Sequence, residues 1–396
     1  MHRITLNNIN KIIIVFMMCL IFAFGKAFTL IQVNSVYICE LILVLSFVIY
    51  LVTLVETKHA EYKLNYDKSD KIINFLIYLY VFYGFIKLVF SLYADYDAFY
   101  SIKKFVLYLY ILLIIILPKV ILSKPDMSLL TKYVSYAAFI HLLFTAATLI
   151  LRGRENVFGT PAVATYSYIS FILIYLLVSI DKKKIIDYAV LFTGLILILI
   201  SGVRSVMIAI FIVLLLYYKD YIMVRANRYF KYLVPVLFIL AMILLFNIKD
   251  FHDEVVSSFS ENTSQYKNII WRLDNWSIMT GMMLEKPLFG YDLGYKYTYF
   301  NPFVSFEKEV DPHNSYMQVF FRNGIIGTLI FILIHIFIIK KFVNMKIKTE
   351  YYYFYLYFFI VCVLVVSFNV GLENPYIGLV YWYTLAILRC LTLIEE

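Results

Sequence analysis

Apolar residues run along this chain in long blocks divided by short polar segments. A block of about 17–25 apolar residues can cross a bilayer as one helix. Twelve such blocks can be marked, at 11–31, 36–55, 72–93, 103–122, 131–151, 161–180, 186–201, 203–219, 229–247, 315–339, 352–370 and 376–392. The seventh and eighth run almost together. Their break is placed at Ser201-Gly202-Val203-Arg204-Ser205, because an arginine at the bilayer centre costs several kcal/mol. The pattern predicts an all-α polytopic membrane protein with about twelve transmembrane helices. It divides into 1–247 (helices one to nine), a long loop over 248–314, and 315–396 (helices ten to twelve).

The loop between helices nine and ten has a pattern of its own. It is polar from Asp250 to Gln265, and then Ile269, Ile270, Leu273, Trp276, Met279, Met283 and Leu284 approximate one helical face. The turn-rich segment Pro287-Leu288-Phe289-Gly290-Tyr291-Asp292-Leu293-Gly294 follows. Short helices lying against the membrane are expected here.

Charge sets the orientation. With the N-terminus inside, every even loop is basic, from Arg3 and Lys11 through Lys58, Lys63, Lys68 and Lys71, then Lys119, Lys124 and Lys132. The same side holds Lys182-Lys183-Lys184, then Lys219, Arg225, Arg228 and Lys231, and last Lys340, Lys341, Lys346 and Lys348. Cytoplasmic loops carry such an excess, so both termini are expected in the cytoplasm. Composition agrees: 63% of residues are hydrophobic and 15% charged, with mean hydropathy +0.83. A net charge of +9 on such a chain is a topology signal, not a nucleic-acid signal. The 19% aromatic content suits water–lipid interfaces. Cys19, Cys39, Cys362 and Cys390 lie in or beside apolar blocks, without metal-ligand spacing.

Cations on the opposite side break the rule and so become candidates. They are Arg152 and Arg154 in the fifth-to-sixth loop, Arg204 in the tight seventh-to-eighth turn, Arg272 in the long loop, and Lys26 and Lys87 near helix ends. Clustered arginines bind phosphate through paired, charge-assisted hydrogen bonds. A snorkelling or loop-tethering cation is the plain alternative for each. Of the six histidines, His141 and His335 lie inside apolar blocks and read as hydrogen-bonded core residues. His313 ends the long loop in Asp311-Pro312-His313-Asn314, just before helix ten. There a group that titrates near neutrality can act as a general base or acid. Asp95-Tyr96-Asp97 reads as a solvated acidic loop rather than a metal site. Glu373, in the last outer turn, is placed to hydrogen-bond a sugar or orient an arginine. There is no phosphate-binding glycine loop, no dinucleotide fingerprint and no nucleophile elbow. No metal or other cofactor is expected.

Several of these segments together resemble a known family. His313-Asn314 followed by Gly324-Ile325-Ile326-Gly327 resembles the signature of the O-antigen polymerase and O-antigen ligase superfamily of bacterial membrane glycosyltransferases. Arg272-Leu273-Asp274-Asn275-Trp276, running on to Pro287–Gly294, resembles that family's long loop, with Asp292 where a glycine is usual. Ser201–Ser205 and Arg154–Pro161 resemble two further family segments. The similarity covers about residues 150–340. It implies a GT-C-like helical fold in the bacterial inner membrane, with a cavity facing the periplasm. It also implies an undecaprenyl-pyrophosphate-linked glycan donor, an acceptor glycan and inverting transfer without metal. His313 would be the base, Arg204 and Arg272 would hold pyrophosphate, and Arg152, Arg154, Asn314, Trp276 and Glu373 would contact substrate.

Polymerase and ligase share these features. The Ile-, Tyr- and Lys-rich composition, common among polysaccharide-cluster polymerases, favours a polymerase of O-antigen or capsule repeat units. Its partners would be membrane lipid and the lipid-linked glycans, with room for a chain-length regulator protein; nucleic acid is not expected. A ligase acting on lipid A–core is the alternative. A glycolipid flippase is an alternative of another class. It would call for cations lining a central cavity, whereas these lie on one face.

Overall fold

The computed structural model describes residues 5–33, 36–56, 66–121, 123–152, 157–179, 184–219, 264–301, 306–309, 312–369 and 371–394. The helix expected over 229–247 lies outside these residues. So do Arg3, Lys58, Lys63, Lys182, Lys183, Arg225, Arg228, Lys231, Arg154 and the polar start of the long loop.

The remaining eleven apolar blocks form helix. Among the described residues seven helices are long and apolar enough to cross a membrane, and four more apolar ones are shorter. In chain order the helices are α1 (Leu6–Phe24), the single turn α2 (Lys26–Thr29), α3 (Ile38–Glu56), α4 (Lys68–Tyr93) and α5 (Ala98–Leu109). Next come α6 (Leu113–Val120), α7 (Lys124–Arg152), α8 (Ala162–Val178), α9 (Ile185–Ile200) and α10 (Arg204–Tyr217). The last are α11 (Ser264–Glu285), α12 (Ser315–Val343), α13 (Glu350–Ser367) and α14 (Pro375–Ile394). Among the described residues the strands form two antiparallel pairs. Gln32–Val33 pairs with Val36–Tyr37, and Thr298–Asn301 pairs with Phe306–Glu309.

Helix α14 is the axis of the bundle. In it 89% of the apolar window is buried, against 33–56% in the other six long helices. It packs against α6, α12 and α13; α13 in turn meets α8 and α10, and α12 lies along α4. Core contacts are strongly aromatic, as where Phe22, Phe171 and Phe358 meet. Charged groups inside the bundle sit beside opposite charges, as a low-dielectric interior favours. Arg389, 1% exposed, donates to the Ile114 carbonyl at 3.2 Å and lies beside Asp70, which Lys341 reaches at 2.6 Å.

In the described part of the long loop the amphipathic stretch makes the 22-residue helix α11, followed by the second strand pair. Its buried face differs from the expected one. Trp271, Asn275, Met279 and Met283 point inward, at spacing i, i+4, i+8, i+12, whereas Ile270, Leu273 and Leu284 are exposed. The inward face meets a second small core with Tyr291, Tyr297 and Phe321. Asn275 is buried because it accepts a 2.8 Å bond from the Tyr297 hydroxyl, a pairing that hydropathy does not reveal.

Candidate active site

The loop is fastened to the bundle through a break in α12. At Gly324 the backbone takes φ 57°, ψ −163°, a region open essentially to glycine alone. The Pro287–Tyr291 turn supplies the hydrogen bonds that the break removes. Ile325 and Ile326 donate to the carbonyls of Pro287 (2.8 Å) and Leu288 (3.2 Å), and Tyr291 N–H donates to Phe321 O (2.9 Å). A Cβ at Gly324 would meet Leu288 backbone at 2.5 Å, and one at Gly290 would meet Phe321 O at 2.5 Å. Both signature segments need glycine because two backbones touch here. Tyr83 and Lys87 of α4 complete the joint by donating to the Phe289 carbonyl at 3.1 and 2.7 Å. Lys87, read from sequence as a stray outer cation, is therefore a structural donor.

His313 precedes α12 with a left-handed backbone, φ 50°, uncommon for a non-glycine residue. Its neighbours hold it there. The Trp276 indole N–H donates to the carbonyl of Pro312. Asn314 caps α12, accepting from Tyr316 N (3.0 Å) and Met317 N (3.1 Å). The Trp271 ring meets the imidazole edge-on, centroids 5.3 Å apart. Burial, and then the neighbouring Arg272, push the His313 pKa down to about 4. Arg272 is itself lowered by burial and by Arg204. The charges therefore run in a chain, with Arg272 next to His313 and Arg204 next to Arg272. The Arg272 Nε finds no hydrogen-bond partner among the described residues. A guanidinium beside a neutral imidazole, with a second guanidinium near it, suits an anion next to a proton acceptor.

The other predicted residues distribute differently. Arg152 ends α7, and its side chain, like all of Arg154, lies outside the described part. Glu373 sits in an adjoining cavity of about 60 Å³, paired with Lys104 of α5. Burial favours its neutral form, but Lys104 and Arg322 prevail and hold its carboxyl below the usual range. The two sites share a wall. Ser315, two residues after His313, lines the cavity and accepts from the N–H groups of Gly371 (2.8 Å) and Leu372 (3.1 Å). Asp97 caps α5 and lies 3.6 Å from Lys296. No cluster of metal-binding type occurs among the described residues. His141 and His335 are core residues as expected: His141 Nδ1 lies 3.0 Å from the Ala23 carbonyl, and His335 Nε2 lies 2.8 Å from the Tyr381 hydroxyl.

Sequence reasoning passed over Arg322, 6% exposed, which donates to the carbonyls of Asp292 (2.8 Å) and Tyr295 (2.6 Å). The signal was present: an arginine inside an apolar block, two residues before Gly324, is costly unless it has work to do. Asn323 was also missed. It binds Tyr80, Tyr83 and Tyr108 through its side chain or carbonyl.

A bundle of apolar helices, with an imidazole and arginines gathered at one end, defines an all-α polytopic membrane protein. Residues 189–332 match the family model described as O-antigen ligase, which supports the O-antigen polymerase and ligase superfamily. The matched span holds Arg204, Arg272, Trp276, His313, Asn314 and both glycines of the joint. A search of curated proteins finds no match. The family implies a glycosyltransferase-like enzyme working on lipid-linked glycans in a membrane.

Proposed function

We propose that the protein is a polysaccharide polymerase of the bacterial inner membrane. It joins undecaprenyl-pyrophosphate-linked glycans at the periplasmic face, with both termini in the cytoplasm. The observation that carries this reading is the His313–Arg272–Arg204 arrangement. His313, neutral at physiological pH, takes the proton of an acceptor hydroxyl. That oxygen attacks the anomeric carbon of the donor from the face opposite the pyrophosphate. The bond from carbon to pyrophosphate oxygen breaks, and its electron pair leaves with undecaprenyl pyrophosphate. Arg272 and Arg204 stabilise the departing charge; pyrophosphate needs no proton to leave. Configuration inverts, and His313 later releases its proton to water.

A second reading, ligation of the finished chain to lipid A–core, is favoured by the description of the matched family. A lipopolysaccharide gel with carrier-lipid analysis, from a strain lacking the gene, separates the two. Core bearing a single repeat and no ladder means polymerase. Bare core with long chains accumulating on the carrier means ligase. An unchanged ladder removes both for lipopolysaccharide.

A further inference from the structure

The cavity beside His313 has two side chains with unmet hydrogen-bonding capacity. Gln318 and Arg322, 5% and 6% exposed, both line it. Gln318 Oε1 and Arg322 Nε have no partner among the described residues. Buried polar atoms are nearly always satisfied, so a ligand or water is called for. The two needs are opposite: Oε1 requires a donor and Nε–H requires an acceptor. An anion would satisfy Arg322 but face the Glu373 carboxylate. A cation would meet Lys104 and Arg322. A hydroxyl meets both needs, since it donates and accepts at once. The Lys104–Glu373 pair adds a further donor and acceptor, and Trp382 and Tyr108 give the cavity aromatic walls. At about 60 Å³ it has room for the hydroxyl-bearing edge of one sugar, not for a glycan.

We propose that this cavity is a sugar subsite, in which Gln318, Arg322 and Glu373 grip neutral hydroxyls of the glycan whose reacting group faces His313. The inference rests on the glycosyl-transfer reading and deepens it. It makes the cavity, rather than the arginine pair, the place where one repeat unit is told from another. A site built to hydrogen-bond a hydroxyl discriminates strongly against a sugar lacking it.

The test uses full-length protein in lipid vesicles, with lipid-linked glycan extracted from a strain lacking the gene. Gln318→Leu removes the amide at similar size. Leu107→Phe fills the cavity while leaving its hydrogen bonds intact. In both variants KM for the extracted glycan is expected to rise about tenfold or more, with kcat falling far less, as loss of binding common to ground and transition states requires. Wild-type KM in both variants overturns the subsite and shows a cavity that holds only water; His313 then keeps its role. Undiminished turnover by His313→Ala overturns the catalytic reading instead, and the KM result still decides the subsite. If Gln318→Leu fails to fold, the Leu107→Phe result decides alone.

Discussion

An imidazole that ionises near pH 4 is unprotonated across the physiological range, which is the state a base requires. Because the shift is downward, protonation begins only in acid. The free-enzyme profile of kcat/KM is therefore expected to stay flat from about pH 8 to about pH 5 and to fall below that, as His313 with its pKa of about 4 takes a proton. A limb near the unperturbed value of 6.5 would show that the resting environment does not govern the reacting group. His313→Ala should abolish transfer while the protein still inserts and folds. Arg272→Lys should cost about 10²-fold in kcat, because an ammonium cannot form the paired contact of a guanidinium; near-normal turnover would remove it from the site. Trp276 poses a sharper question. Its N–H holds the carbonyl just before His313, so Trp276→Phe should lower kcat by about tenfold and leave KM nearly unchanged. A rise in KM alone would instead mark it as a surface on which the glycan rests.

At the level of elements, hydropathy alone located every apolar helix that the structure describes, and the turn at Ser201–Val203 falls where the arginine argument put it. The inward face of α11 was not legible, because burial there follows Asn275 and its tyrosine partner rather than apolarity. The fastening of the loop was not legible either. Gly290 and Gly324 could be recognised as parts of two motifs, but nothing in one chain says that two motifs touch. The structure supplies that link and a test of it. Gly324→Ala combines a disallowed backbone with a backbone clash, and strain of this kind costs about 1–3 kcal/mol before the clash is counted. Its melting temperature in detergent should drop by several degrees. Gly281→Ala, in α11 with nothing within 4 Å of the added carbon, should be neutral or stabilising. Equal behaviour of the two would disprove the joint.

Across the whole molecule, the ends of the bundle play different parts. One end holds the carboxylate and cations that bind helices together, with Asp70 between Lys341 and Arg389. The other gathers His313, the two arginines and the cavity lined by Gln318, Arg322 and Glu373 from α5, α10, α11, α12 and the 371–374 turn. Chain-wide charge pointed to the second end by its few misplaced cations, yet it did not distinguish Arg272, which lies beside an imidazole, from Lys87, which serves the scaffold. That distinction lies in partners, which only three dimensions reveal. The break in α12 also constrains how these proteins can be recombined. Anyone exchanging loops between relatives to move glycan preference from one to another would naturally cut at the ends of the loop. Here such a cut would leave the amides of Ile325 and Ile326 facing a foreign turn. The smallest transferable module is the loop together with the first half of the helix that follows it, taken past Gly327.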